Sequence, residues 1–403
     1  MSLQIALSAL QAINSQLDNI SQNISNTGTT GYKSSRTNFA SMYANSAPNG
    51  VQAASTTQTL DVTGGLLSTG RNLDVAIGGK GYFMVTDSTG VTNYTRNGGF
   101  DVDNSGKLVD SLGRAVQGYS MTAGSDALGA LGDLKVPTGQ IPAKASTQLN
   151  YVGNLSADWS TIPATQAFKA NLDLANGELP SSDSYNSSTV SVVYDSLGAQ
   201  HTVTQYFSKT DQNTIDVHYV IDGQSQAGPF TLKFGSDGQI AGADSTTLAL
   251  SPAGADALSV AFSYTGTTQF AGDTATTTNS ADGYASGTMV NVQIGADGAL
   301  NVQYSNGMIQ RVGKIALASF ASESGLAPVE GTSWQATVKS GVALVGTPGS
   351  GQFGELASQQ LEQSNVAVAT ELVDLMSAQR NYQANTKVIS TESEIMQSLL
   401  QVI

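Results

Sequence analysis

The chain of 403 residues contains no cysteine, and that excludes disulfides, thiolate zinc sites and iron–sulfur clusters. Charge is scarce: only 12% of residues are Asp, Glu, Lys or Arg. The 17 Lys and Arg form no run, and the formal charge is −14, so the basic clusters that nucleic acid requires are missing. Only two histidines occur, His201 and His218. No apolar run approaches the roughly 20 residues of a membrane-spanning helix. A cleavable signal peptide is not visible either: the first basic residue is Lys33, and the apolar residues near the start are spaced rather than contiguous. With 40% hydrophobic residues the chain is nonetheless able to build cores, so disorder is not expected.

What is present is helical periodicity at the two ends and strand texture between them. Leu3, Leu10, Leu17 and Ile24 fall seven apart, and Ala6, Ile13 and Ile20 follow three residues after the first three. At the other end Val368, Leu375, Tyr382, Ile389, Met396 and Ile403 also step by seven, with Leu372, Ala378 and Leu399 beside them. A seven-residue apolar step is a coiled-coil seam, because two helical turns bring the same face round again. The predicted helices span about 33 Å and about 55 Å. Their stripes are narrow and interrupted by Gln379, Thr386, Glu392 and Ser393, so they need a partner. That partner is either the other terminal helix or further copies of the chain.

Between the helices, "SNTGTTGYKSSRTNFASMYANSAPNG" reads as a polar, extended connector. From Arg71 onward, short β-branched and aromatic runs are punctuated by Asp87-Ser-Thr-Gly90, Asp103-Asn-Ser-Gly106, Asp110-Ser-Leu-Gly113 and Asp195-Ser-Leu-Gly198. Asp at the start and Gly at the end of a four-residue turn join antiparallel strands. The expected fold is therefore mainly β with α-helical termini. The expected domains are 1–70 with 355–403 (a coiled-coil helical layer plus connector), 71–145 with 285–354 (a discontinuous β domain), and 146–284 (an inserted β domain nested further out).

Candidate chemistry is thin. "DVDNSGKLVDSL" resembles an EF-hand loop only as far as Asp101, Asp103, Ser105 and Gly106; Leu112 stands where a bidentate Glu is required, so the stretch reads as a hairpin turn. "GGKG" at 78–81 lacks the spacing of a phosphate loop. The two histidines read as solvated strand positions without a third ligand. No catalytic, metal or cofactor set is predicted, and the chain is not expected to be an enzyme.

Both ends resemble the flagellar rod and hook axial protein family. The N-terminal match, "LDNISQNISNTGTTGYKSSRTNF", runs through Asn19, Asn23, Asn26, Thr30, Gly31, Tyr32 and Lys33. The C-terminal match runs through Ser364, Asn365, Val366, Glu371, Met376, Ala378, Gln379, Arg380, Tyr382, Asn385, Ile389 and Leu399. "LDVAIGGKGYFMV" and "YTRNGGF" resemble the family's shared β domain, and "VVYDSLGAQHTVTQYF" resembles the outer domain of its hook members. The resemblance implies an extracellular structural subunit. It would polymerise with itself into a curved tube that transmits torque from rod to filament as a flexible joint. Implied partners are a hook cap protein, the distal rod protein, the hook–filament junction protein and the flagellar type III export apparatus. The alternatives are a distal rod protein of the same family, which the inserted stretch disfavours, a secreted β-rich adhesin or glycan-binding module, and a hydrolase with a site in the middle domain.

Overall fold

A computed structural model describes residues 2–44, 47–122, 126–169, 178, 180–226 and 228–402. The chain is mainly β with one helix at each end, and it divides into two compact units. One comprises 1–138, 291–303 and 309–403; the other comprises 139–290 and 304–308.

The first unit holds α1 (Ser2–Ser25) and α2 (Val368–Val402). Neither helix contains Gly or Pro, and both draw on the apolar step read from the sequence. After α1 the polar stretch expected to be a connector is instead an antiparallel hairpin, β1 (Ser35–Ala44) with β2 (Ala47–Gln58). A two-stranded ribbon is marginal alone, and this one leans on α1. Thr37 Oγ1 donates to the Ser15 carbonyl, and Asn19 Nδ2 donates to Thr37 Oγ1 at 2.5 Å. Packing on a helix, which local composition does not encode, makes these Ser, Thr and Asn residues a strand pair.

The β core of this unit is organised around strand Tyr82–Thr86, which pairs with Thr92–Thr95, Ala115–Met121 and Leu317–Ser319. Tyr82, Met84, Tyr94, Phe320 and Trp334 bury together beneath it. Tyr94 meets Phe320 edge-on at 4.7 Å, the arrangement that ring quadrupoles favour. Late strands are threaded through early ones. Glu355–Ser358 pairs with Val75–Gly78, and Gln360–Glu362 pairs with Leu66–Ser68. The Asp-to-Gly stretches are turns as expected: Asp103 Oδ1 accepts the amides of Ser105 and Lys107, and Gly106 sits at φ +79°.

The second unit contains two sheets. One orders its strands Ser245–Leu250, Leu258–Ser263, Gln148–Asn154 and Ala275–Ala281. The other runs Ser187–Tyr194, Gln200–Asp211, Thr214–Ile221 and Gln224–Ser225, with Phe230–Lys233 also on 214–221. Leu149, Tyr151, Phe207, Val217, Tyr219, Phe262 and Tyr264 share one buried cluster. Its tyrosine hydroxyls are satisfied internally: Tyr219 and Tyr264 bond at 2.8 Å, and Tyr264 donates to Gln205 Oε1 at 2.6 Å. The network continues to the other sheet through Ser191 and Asn279. The histidines are neither solvated nor facing one another. His218 is half-buried and stacked on Phe168 at 4.4 Å, and His201 lies between two carboxylates.

Candidate assembly interface

Asn23 near the end of α1 bonds Glu371 near the start of α2 at 3.0 Å, and Ile13, Ile20 and Ala378 share one buried cluster. These contacts together require the helices to run antiparallel. Leu17, Ile24 and Leu375 flank the cluster, and Leu10 is half-buried. The intrachain seam is short. Leu3, Val368, Leu372, Tyr382 and Met396 remain exposed, Ile389 is half-buried, and the side chain of Leu399 lies outside the described residues, as does Ile403. The sequence periodicity did not single out Val373, Val388 or Ile395, yet these are 56%, 48% and 51% exposed, and Met376 is 53% exposed. Counting back from Asn23, α1 runs out of length about ten residues before α2 ends, an overhang of about 15 Å. Leu10 and Leu17 are half-buried on the α1 stripe, and Leu3 near its start is exposed.

The motif residues of the two ends form one clasp. Asn23, 2% exposed, uses its whole amide: Nδ2 donates to the Ser35 carbonyl and to Glu371 Oε1, while Oδ1 accepts the Ser35 amide and the Tyr32 hydroxyl. Asn26 closes α1 by donating to the Gln22 carbonyl and accepting from Thr29. Gly31 turns the chain at φ +72°, and a Cβ there would lie 2.7 Å from the Asn97 nitrogen. Its amide donates to the Glu362 carbonyl. Asn365 accepts the Ser34 amide and donates to the carbonyls of Thr59 and Val62, and Ser364 Oγ accepts the Val366 amide. Gln379 and Arg380 stand on the exposed side of α2, where Arg380 bonds only back to the Met376 carbonyl among the described contacts.

A buried ionic knot sits beneath the clasp. Lys33 Nζ lies 2.6 Å from Glu362 Oε1 and donates to the Val62 carbonyl, also at 2.6 Å. Arg96 approaches Glu362 Oε2 at 3.5 Å, donates to the Gly79 carbonyl and covers the Tyr82 ring at 5.0 Å. Burial pulls the Lys33 ammonium below its ordinary range, and the Glu362 carboxylate opposes that pull. Burial pushes the Tyr82 phenol up, helped by Glu323, to which its hydroxyl donates. Sequence reasoning did not single out Arg96 or Glu362. The available signal was their scarcity, since charged residues are only 12% of the chain, and Arg96 stands inside the matched stretch "YTRNGGF".

Among the described residues, no group of three or more His, Cys, Asp or Glu is placed to hold a metal ion, and no helix is long and apolar enough to cross a membrane. The polar residues around α1 are bonded to one another and to backbone, which is structural work. The helices keep apolar residues uncovered within the single chain.

Three family models match. Residues 76–157 match the flagellar hook protein FlgE/F/G D1 domain, 154–284 the flagellar basal body protein FlaE D2 domain, and 357–402 the flagellar basal body rod FlgEFG protein C-terminal region. The flagellar hook protein FlgE of Salmonella typhimurium is 36% identical, with 100% of both chains covered. The Rhizobium meliloti protein of the same name is 32% identical, covering 99% of this chain and 98% of its own. A crystal structure of Helicobacter pylori flagellar hook protein FlgE2 superposes with a TM-score of 0.55 at 15% identity, over 74% of this chain and all of that one, and so shares the fold. Full-length identity at this level, joined to the matched domains, places the chain in the flagellar hook protein FlgE family.

Proposed function

We propose that this chain is a structural subunit of the bacterial flagellar hook and that other copies complete its terminal helices in a tubular polymer. The observation that carries this reading is the set of uncovered apolar residues along α2: Val373, Met376, Ile395 and Met396 each expose more than half of their surface, on more than one side of the helix. In water such exposure is costly, at about 25 cal/mol per Å² of apolar surface. Neighbours that pack around the helix remove that cost. Contact between unlike surfaces propagates as a helical filament where the rotation between neighbours does not close a ring.

On this reading 1–70 with 355–403 forms the inner tube, 71–145 with 285–354 the shared β domain, and 146–284 the outer domain. Interface residues on this reading are Leu3, Leu10, Leu17, Ile24, Val368, Leu372, Val373, Leu375, Met376, Tyr382, Ile389, Ile395, Met396 and Leu399, with Ile13 and Ile20 holding the intrachain seam. The low charge of the chain suits β domains that slide past neighbours while the joint bends. The finer partners are the cap, distal rod and junction proteins, reached by export of the chain to the cell exterior. Electron microscopy of the concentrated, purified chain tests the reading: curved tubes are expected, and persistent monomers at high concentration overturn it.

A further inference from the structure

His201 is 14% exposed, and each of its ring nitrogens faces a carboxylate. Nδ1 lies 2.6 Å from Asp222 Oδ2, and Nε2 lies 3.3 Å from Asp195 Oδ2. The two carboxylates belong to different hairpin turns at one end of the same sheet. Asp195 opens the turn Asp195–Gly198, where its Oδ1 accepts the amides of Leu197 and Ala199. Asp222 sits in the turn after strand Thr214–Ile221, in a left-handed conformation of φ +47° that is strained for a residue with a side chain, and its Oδ1 accepts the Thr202 amide. A neutral imidazole has one N–H and one lone pair, so it can donate to only one of these carboxylates. Donation to both requires the imidazolium.

The location gives the arrangement a consequence. Gly198 at φ +83° presses against the two segments through which the second unit joins the remainder of the chain. A Cβ there would lie 2.8 Å from the Ala143 Cβ and 3.2 Å from the Ala285 Cα. These segments are bridged to one another at Ile141 with Gly287 and at Lys144 with Tyr284. The turn that His201 holds is therefore a buttress of that root.

We propose that His201 is a proton-operated clamp that fastens the Asp195 and Asp222 turns together and stiffens the root of the second unit in its protonated state. On losing its proton the ring keeps one carboxylate and turns a lone pair toward the other. The Asp195 turn then keeps the amide bonds to Asp195 Oδ1 but loses its tie through the ring to the Asp222 turn, and the root softens. The charged groups facing the ring among the described residues are Asp195 and Asp222. Burial works against the imidazolium, but the bonds to Asp222 and Asp195 outweigh it and raise its affinity for the proton above the ordinary 6.5. His218, desolvated against Phe168, is shifted the other way. The clamp is independent of how copies of the chain assemble.

Because the chain has only these two histidines, histidine-labelled protein gives two ring signals. One is expected to titrate above 6.5 and to vanish in His201→Gln, and the other below it. Asp222→Asn is expected to lower the His201 midpoint. Hydrogen exchange, corrected for its intrinsic pH dependence, reads the mechanical part. Protection of the Leu197, Ala199 and Thr202 amides is expected to fall as pH rises through the His201 midpoint, and to stay level in His201→Gln. A His201 midpoint at or below 6.5, or protection unchanged across it, overturns the proposal. Should His201→Gln fail to fold, titration and exchange of the wild-type chain decide between these outcomes by themselves.

Discussion

Asn23 donates to Glu371 at 3.0 Å across 348 residues of sequence, and in doing so it joins the end of α1 to the start of α2. The amide is buried and four of its bonds cross between chain segments, so alanine cannot be accommodated by water. Asn23→Ala is expected to cost about 1–3 kcal/mol for each buried group left unpartnered. The Ser35 amide is the clearest such group. Denaturant unfolding of the monomer measures it, and a loss well below that range would show that the clasp does not hold the helices.

Lys33 and Glu362 should respond unequally to removal. Lys33→Met leaves Glu362 near Arg96 and the Gly64 amide, which still offset its charge. Glu362→Gln leaves Lys33 and Arg96 as two buried cations without a carboxylate. Breaking a buried pair costs about 3–5 kcal/mol. The Gln variant is expected to reach that range and the Met variant to fall below it, as judged from paired urea melts. The reverse order would assign the dominant role to the Val62 and Gly79 carbonyls.

Val373→Asp and Met376→Asp separate assembly from folding. Both side chains are more than half exposed in the single chain, so its thermal melt is expected to stay unchanged. In a polymer each lost apolar contact removes about 1.5–3 kcal/mol per subunit, and burying the carboxylate adds several more. Sedimentation is expected to find no polymer. Ile20→Asp, at a position 5% exposed, should instead lower the melt of the monomer itself. Normal tubes from both surface variants would place the contact elsewhere.

Acid should loosen the second unit through Asp282. Burial disfavours its charge. The amides of Gln148 and Thr147, the Thr147 hydroxyl and Lys144 outweigh burial and hold the carboxyl well below its ordinary 3.8. A depressed folded value means the stabilisation is complete above the unfolded value and is lost as pH falls through the folded one. Asp282→Asn is therefore expected to lower the melting temperature at neutral pH and to flatten the decline on acidification. An unchanged acid limb would show that these donors do not favour the ionised carboxyl in the fold.

Local chemistry made parts of the fold legible. The seven-residue step located both helices, and the Asp-to-Gly spacing located turns, because each is a contact between residues close in sequence. Asp87 accepting the amides of Thr89 and Val91 is such a contact. The β1–β2 hairpin was not legible, since its polar residues become strands by leaning on α1. The seam was half legible. Periodicity named Ile13, Ile20 and Ala378, but could not say that Leu372 and Tyr382 would stay uncovered within one chain. His201 was misread because its partners lie on two turns, six and twenty-one residues away.

The threading of late strands through early ones also sets an order in time. Lys33 leaves the ribosome 329 residues ahead of Glu362, so for most of synthesis its counter-charge does not exist. The same delay applies to Gly31, Ser34 and Asn23, whose partners are Glu362, Asn365 and Glu371. The second unit, by contrast, closes almost entirely on residues between 139 and 290. A nascent chain can therefore finish its middle while its first helix still waits for its last.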